Sequence, residues 1–210
     1  MAEGKSTKDS YLIEAMKLFA EKGYDSVGVA EIAQAVGCTT SALYKHYKNK
    51  RALFDAIVEK SRTEFRENMA RLKVNFEVMS ERESLPVMTV EEQVAMMRDL
   101  FLAVAFGDEP KLFRRLVEQE RCRHPEFAIM YNEHYVKEQI KSFSGLMEAW
   151  VEKGAIVQRD SYALAVEYIS PLLVMIVCCD NDPSMKQEAL SVLERHVRVF
   201  NQINRKEVMP

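Results

Sequence analysis

The sequence contains little glycine and proline, so few residues interrupt its regular elements. Among 210 residues there are 7 Gly and 6 Pro, the two residues that most often break helices and strands. Runs of Val, Ile and Thr, which favour a sheet, are scarce as well. Methionine is abundant, with 12 residues, and 48% of the chain is hydrophobic against 29% charged. This composition predicts an all-α globular protein.

The chain also lacks the long apolar segments of exported and membrane proteins. Its first ten residues, MAEGKSTKDS, are polar and contain no apolar core of a signal peptide. The most apolar uncharged run, YISPLLVMIVCC, has 12 residues, whereas a bilayer requires about 20. The four cysteines form no CxxC pair. We therefore expect a protein of the reducing cytoplasm with no membrane partner.

Motifs that would indicate an enzyme or a metal site are missing too. There is no glycine-rich nucleotide loop, and none of the four histidines belongs to a nucleophile signature. The alternate spacing of Glu120, Cys122 and His124 does not place all three on one helix face, so we predict no metal site. Cys178 and Cys179 fit the packing of an apolar helix, with thiol or soft-metal sensing as the alternative. We expect no enzymatic activity and no cofactor; an active site that converges only in space is the remote alternative.

Charge is divided unevenly along the chain. Residues 1–51 contain eight Lys and Arg against six Asp and Glu, a net charge of +2. The rest contains 21 against 26, a net charge of −5. Much of the positive charge falls in CTTSALYKHYKNKRALFDAI, residues 38–57, beside hydroxyl residues and tyrosines. A slightly basic N-terminal part on an acidic body predicts two functions in one chain.

Helix start and stop signals predict about nine helices. Apolar periodicity predicts a first helix at 7–21 and a second at 29–36, which Gly37 ends. Thr39 is a suitable N-cap for a short third helix that extends to about residue 47, and Asn49 for a long fourth.

The later helices are mostly longer. Thr89 and Glu92 form a capping box before the next helix. Pro125 starts a helix of about 28 residues. Asp160 or Ser161 is a suitable cap for the helix before the last, and Asp182 for the last.

Residues 29–48 have the spacing of a helix-turn-helix. Ala33 is small where two helices cross closely, and Gly37 can adopt the left-handed conformation that the turn requires. Leu43 is an apolar residue that we expect to pack in the core. The start of the second helix then presents its polar side chains to the major groove of DNA.

The predicted DNA contacts divide into two groups. Hydroxyl side chains and Lys45 reach base edges, while the tyrosine, the histidine and Lys50 reach flanking phosphates. Lys50 also lies at the start of the fourth helix, where backbone N–H groups favour a phosphate. The predicted DNA-binding residues are Thr39, Thr40, Ser41, Tyr44, Lys45, His46 and Lys50.

The segment 15–58 resembles the N-terminal domain of TetR-family transcriptional regulators. The matching pieces are LFAEKGY, IAQAVG, LYKHYKNK and ALFDAI, which together are specific. The chain departs from the family at Val27-Gly28, where Thr or Ser is usual, and at Ala30, where a polar or basic residue is common. The resemblance implies a homodimer with a divergent C-terminal ligand domain and control by a small inducer.

These observations predict a helix-turn-helix DNA-binding domain at 1–50 and a larger helical domain for ligand binding and dimerisation at 51–210. Met-rich walls suit a pocket for varied apolar molecules. The predicted pocket residues are Met97, Phe101, Phe113, Met130, Tyr131, His134, Met147 and Tyr168.

The last helix carries apolar residues at a 3-4-3 spacing, which forms a seam for packing another helix. Packing inside the subunit is the simpler reading. The family resemblance favours a four-helix dimer interface built from the last two helices. The seam consists of Leu190, Leu193, Val197 and Phe200.

We therefore predict a repressor that a small, mainly apolar ligand releases from a palindromic double-stranded operator. The alternative is a helix-turn-helix regulator or adaptor that a protein partner controls. Its body would bind protein and respond to no ligand.

Overall fold

The computed structural model describes residues 7–71 and 87–206, and the regular elements of this part of the chain are helices, apart from an isolated antiparallel bridge between Ile156 and Arg205. The helices are α1 (Thr7–Lys22), α2 (Val29–Ala35), α3 (Thr40–Tyr44), α4 (Lys50–Arg71), α5 (Val90–Phe106), α6 (Asp108–Glu120), α7 (Pro125–Tyr131), α8 (Glu138–Glu152), α9 (Ser161–Asn181) and α10 (Lys186–Asn204). A π-helical turn, Asn132–Lys137, joins α7 to α8 without a break. With 125–152 counted as one helix, the described residues contain the nine predicted helices.

Side-chain caps begin several helices at the predicted residues. The Thr89 hydroxyl accepts the backbone N–H of Glu92, whose carboxylate in turn accepts the N–H of Thr89, which completes the capping box. Asn49 accepts the N–H of Ala52 at 2.7 Å, and Asp160 caps α9 in the same way. Each such cap satisfies an N–H group that the helix itself leaves unpaired.

Two predicted helices differ in detail. The third helix ends at residue 44, three residues before the predicted end. The N–H groups of His46 and Tyr47 both donate to the carbonyl of Leu43, at 2.9 and 3.0 Å, so the chain tightens into a turn there. The long helix predicted from Pro125 contains the π-helical turn, which periodicity does not reveal because one extra residue is accommodated inside an uninterrupted helix.

The chain divides into two compact units. The first comprises residues 1–65 and 108–131, and the second comprises 66–107 and 132–210. This division differs from the predicted boundary after residue 50, because α6, α7 and most of α4 group with the helix-turn-helix. The assignment of DNA binding and ligand binding to separate segments remains a prediction.

In the first unit, α1 packs on α2 and α6, α2 on α3, and α6 on α7. Each large side chain that this packing removes from water contributes about 1.5–3 kcal/mol. Fully buried residues of this core are Phe19, Ile32, Leu43, Leu53 and Phe113.

In the second unit, α9 packs on α8, α5 and α10, and α10 also packs on α5. Trp150 and Phe143 are fully buried among these helices. By length and composition alone α9 could cross a membrane, with a mean hydropathy of 1.9 over its most apolar window. The core helix of a globular protein can have the same composition, and one such helix is weak evidence for a membrane protein.

Candidate nucleic-acid interface

The helix-turn-helix is closed by the predicted glycine turn. Gly37 adopts a φ of +72°, which a residue with a side chain rarely takes. The turn lets the N–H of Cys38 donate to the carbonyl of Ala33 at 2.8 Å. Gly28 is the N-cap of α2 and provides no side-chain cap, as the departure from the family pattern implies.

Two buried residues fix the orientation of α3. Leu43 is completely buried, and Tyr47, just after the helix, is 4% exposed. The Tyr47 hydroxyl donates to the carbonyl of Lys8 at 3.4 Å. Burial raises the pKa of Tyr47 to about 12, so this hydroxyl keeps its proton at every physiological pH. The opposite side of α3 is thereby turned outward.

Most of the predicted DNA-binding residues lie on this outward side. Tyr44 is 51% exposed. Thr39, Ser41, Lys45 and His46 are also exposed, whereas Thr40 is half-buried. Thr39 is also the N-cap of α3 and accepts the N–H of Ala42 at 3.2 Å. The exposed hydroxyl, aromatic and basic groups together suit contacts to phosphates and base edges.

The ammonium of Lys50 has a different environment from the one predicted. It donates to the carbonyl oxygens of Tyr24, Asp25 and Val27 at 2.9, 3.3 and 3.2 Å. It also lies 4.5 Å from the centre of the Tyr24 ring. Because an ammonium has three donors, Lys50 is occupied by the α1–α2 loop in this structure, and its contact to a phosphate stays a prediction.

Sequence reasoning missed a group of residues at the α6–α7 junction. Glu120 and His124 were considered only as metal ligands, and the structure brings both against the α1–α2 loop. The N–H of Tyr24 donates to Glu120 Oε1 at 2.9 Å, and His124 Nε2 lies 3.0 Å from Asp25 Oδ2. These pairs are about 100 residues apart in the chain, so no local pattern could have revealed them. No group of His, Cys, Asp and Glu among the described residues is arranged to hold a metal ion.

The predicted pocket residues are divided between the two units. Met97, Phe101, Met147 and Tyr168 are buried in the second unit, and Phe113 is buried in the first. Met130 and Tyr131, at the end of α7, are half-buried in the first unit. The side chain of His134 lies outside the described part of the structure.

The predicted dimer seam is directed into its own subunit. Leu193, Val197 and Phe200 are 1%, 0% and 4% exposed, because this side of α10 packs on α5 and α9. Leu190 is half-buried. These side chains leave almost no surface for a second chain, and their part in a dimer contact stays a prediction.

The second unit exposes other apolar side chains, which lie on α10 beside the buried seam and on α9. On α10 they include Val199 and Ile203, which are 43% and 66% exposed. On α9 they include Tyr162, Val174 and Val177, each more than half exposed. Apolar side chains exposed in neighbouring helices commonly mark a protein contact.

Comparison with known proteins agrees with this architecture. A family model described as bacterial regulatory proteins of the tetR family matches residues 12–57. AcrR of Shigella flexneri, an HTH-type transcriptional regulator, is 33% identical over 86 residues, which are 41% of this chain and 38% of that protein. IcaR of Staphylococcus aureus, a negative regulator of a biofilm operon, is 23% identical over 72% of this chain and 86% of its own length.

A third curated relative, YwcC of Bacillus subtilis, is matched over 61% of its length. The chain thus spans less than two thirds of both AcrR and YwcC. Among solved structures, a TetR-family regulator from Mesorhizobium loti has a TM-score of 0.76 at 20% identity and covers 97% of this chain and 100% of its own. The SmeT–triclosan complex has a TM-score of 0.74 at 16% identity over 97% and 94% of the two chains. The N-terminal match and the shared fold agree: residues 12–57 match the tetR family of bacterial regulatory proteins, and the fold is similar to that of TetR-family regulators.

Proposed function

We propose that this protein is a transcriptional repressor that binds a near-palindromic operator as a homodimer and is released by a small, mainly apolar ligand. The observation that carries the proposal is the outward side of α3. There an exposed tyrosine, hydroxyls, Lys45 and His46 stand on a helix that the core fixes from behind. Such a protein acts where the chromosome is, which is the cytoplasm in a bacterium.

DNA binding is tested by selecting bound sequences from a random pool of duplex DNA with the full chain. We expect an enriched near-palindrome with half-sites about 34 Å apart or a little more. Lys45→Ala should then change the preference at one or two base pairs by about 1–3 kcal/mol each. The absence of any enriched sequence would contradict the proposed function.

The second unit supplies the proposed dimer contact. The exposed apolar residues of α9 and α10 replace the buried seam as its candidates. Since the two half-sites of a palindrome each require one recognition helix, a chain with one helix-turn-helix must associate to read both.

Ligand control is supported by composition and by relatives. Several buried methionines and aromatic residues are available in the second unit, and methionine packs readily around varied apolar shapes. SmeT is described as the repressor of a multidrug efflux pump and has been solved with triclosan, and a further relative in fold is a flavonoid-responsive regulator.

Ligand control is tested by calorimetry with apolar compounds, with and without the selected DNA. A compound that weakens DNA binding must bind the DNA complex less tightly by the same factor. A compound that binds both forms equally would argue against release by this route, however tightly it binds. Control by a protein partner would instead leave every compound without effect.

A further inference from the structure

The α1–α2 loop is held from two sides by residues of different helices. On one side Lys50, at the start of α4, donates to three of its carbonyl oxygens. On the other side lie Glu120, the last residue of α6, and His124, just before α7. The loop leads directly into α2, which packs on α3. The loop therefore connects these contacts to the recognition helix through α2.

Glu120 is a buried carboxylate with one unsatisfied oxygen. It is 1% exposed, and its Oε1 accepts the N–H of Tyr24 at 2.9 Å. Its Oε2 accepts no hydrogen bond and lies 3.8 Å from His124 Nε2. Leaving a charged oxygen unpaired in a protein interior is costly, so a positive charge on His124 would stabilise it.

His124 faces carboxylates of three chain segments. Nε2 lies 3.0 Å from Asp25 in the loop and 3.8 Å from Glu120 in α6, and Nδ1 lies 3.6 Å from Glu126 in α7. Its ring packs edge-on against Tyr24 at 5.7 Å between centroids. A neutral imidazole can donate to only one of these carboxylates, whereas an imidazolium donates from both nitrogens and attracts all three.

Two cations of α4 also face this group. Arg51 Nη1 lies 3.6 Å from the same oxygen of Glu126 that faces His124, and Arg51 is also paired with Asp55. Lys50 lies over the Tyr24 ring. These cations offset part of the negative charge. Lys50 contacts the backbone carbonyl of Asp25 rather than its carboxylate, and the ion pairs of Arg51 are with Asp55 and Glu126.

The close approach of Gly23 shows how tightly this side is packed. Gly23 has a φ of +87°, and a Cβ at this position would lie 3.1 Å from Glu120 Oε1. A side chain at residue 23 would thus force the Glu120 carboxylate to shift by a few tenths of an ångström.

From this geometry we infer that Glu120 and His124 are positioning residues for DNA binding, and that protonation of His124 tightens their hold on the α1–α2 loop and strengthens operator binding. Histidine changes charge between about pH 5 and 8, so the affinity becomes sensitive to pH through residues that do not touch DNA. The effect on DNA rests on the proposed function, whereas the effect on the loop does not.

The test compares the pH profile of the full chain with that of His124→Gln, which keeps a donor but does not titrate. The probe is the duplex selected from the random pool. We expect the dissociation constant of the wild type to fall between pH 8 and pH 6 by about fivefold more than that of the variant. Other histidines, including the exposed His46, are present in both proteins and cancel from this difference.

Two further variants separate positioning from a general loss of structure. Asp25→Asn changes a carboxylate whose side chain is 66% exposed, so the chain should fold, and it should also reduce the extra pH dependence. Glu118→Gln, on an exposed side chain of α6, should keep the wild-type profile. Identical profiles for wild type and His124→Gln would overturn the inference.

A measurement without DNA distinguishes this inference from the proposed function. The thermal unfolding midpoint of the wild type should rise relative to His124→Gln as the pH falls from 8 to 6, because protonation adds ion pairs to the folded unit. If this shift occurs while the operator affinities do not follow it, the loop contact exists but does not position the DNA-binding helices, and the inference is wrong. If no DNA is bound at all, the proposed function fails, and the unfolding data alone decide on the contact.

Discussion

Lys50 donates to the carbonyl oxygen of Tyr24 at 2.9 Å, and its ammonium lies 4.5 Å from the centre of the same residue's ring. One side chain therefore holds both the backbone and the aromatic ring of the loop that precedes α2. A cation over an aromatic face and a charge-assisted hydrogen bond each stabilise such a contact by about 1 kcal/mol or more. Lys50 therefore stabilises the α1–α2 loop, in addition to any contact that it makes with DNA.

The first prediction concerns the salt dependence of DNA binding. A lysine that contacts a phosphate adds about 1 to the slope of log affinity against log salt. Lys50→Ala should lower the free energy of unfolding by about 1–2 kcal/mol and weaken DNA binding without changing this slope. Lys48→Ala, on an exposed side chain beyond α3, should reduce the slope and leave unfolding unchanged.

Binding titrations at several salt concentrations, together with urea unfolding, provide both measurements. A reduced slope for Lys50→Ala would show that the ammonium leaves the loop for a phosphate when DNA binds. That result would confirm the phosphate contact predicted from the sequence.

The second prediction concerns the dimer contact. Ile203→Glu places a charge in the exposed apolar surface of α10 and should yield a folded monomer. An unpaired buried charge costs about 3 kcal/mol or more, which corresponds to a dimer dissociation constant raised roughly 100-fold. Gln202→Glu adds the same charge at the neighbouring exposed position and should remain dimeric.

Sedimentation velocity and circular dichroism check this prediction together. Leu193→Glu, in contrast, should unfold the second unit, because Leu193 is 1% exposed. A stable dimer of Ile203→Glu would exclude this side of α10 from the contact.

The features that could be predicted from the sequence depend on residues that are close together in the chain. The caps at Asn49, Thr89 and Asp160 and the glycine turn at Gly37 depend on contacts within a few residues. Such contacts can be inferred from residue type and spacing alone. The helix count and the outward side of α3 follow from the same local rules.

The features that sequence reasoning missed depend on distant contacts. Helix α10 carries two adjacent apolar stripes, one through Leu193 and Val197 and one through Val199 and Ile203. Both have the spacing of a packing surface, and only the placement of α5 and α9 decides which is buried. The environment of Lys50 likewise depends on the fold of the α1–α2 loop, 23 to 26 residues before it.

The third prediction concerns the buried polar contact between α5 and α10. The amides of Gln93 and Asn201 donate to one another at 3.2 and 2.9 Å, and the Tyr168 hydroxyl donates to Gln93 at 3.4 Å. Asn201→Ala removes one partner from a buried pair and should lower the free energy of unfolding by about 1–3 kcal/mol. Gln202→Ala, on the exposed side of α10, should change it by less than about 0.5 kcal/mol. Equal urea unfolding curves for the two variants would show that the amide pair does not stabilise the second unit.

The last prediction concerns the acid side of the stability profile. Burial lowers the pKa of His196, although the hydrogen bond of its Nε2 to the carbonyl of Tyr168 at 3.0 Å partly opposes this shift. The unfolded chain therefore takes up the proton first as the pH falls below the ordinary histidine value of about 6.5. Stability from this group is fully present above that pH and is lost as the pH falls towards the lower pKa of the folded state.

His196→Gln keeps a donor for the Tyr168 carbonyl but cannot titrate. The free energy of unfolding of the wild type, minus that of His196→Gln, should therefore increase from pH 5 to pH 7. Urea unfolding at a series of pH values measures this difference in one buffer system. If the difference does not change between pH 5 and pH 7, burial does not control the charge state of His196.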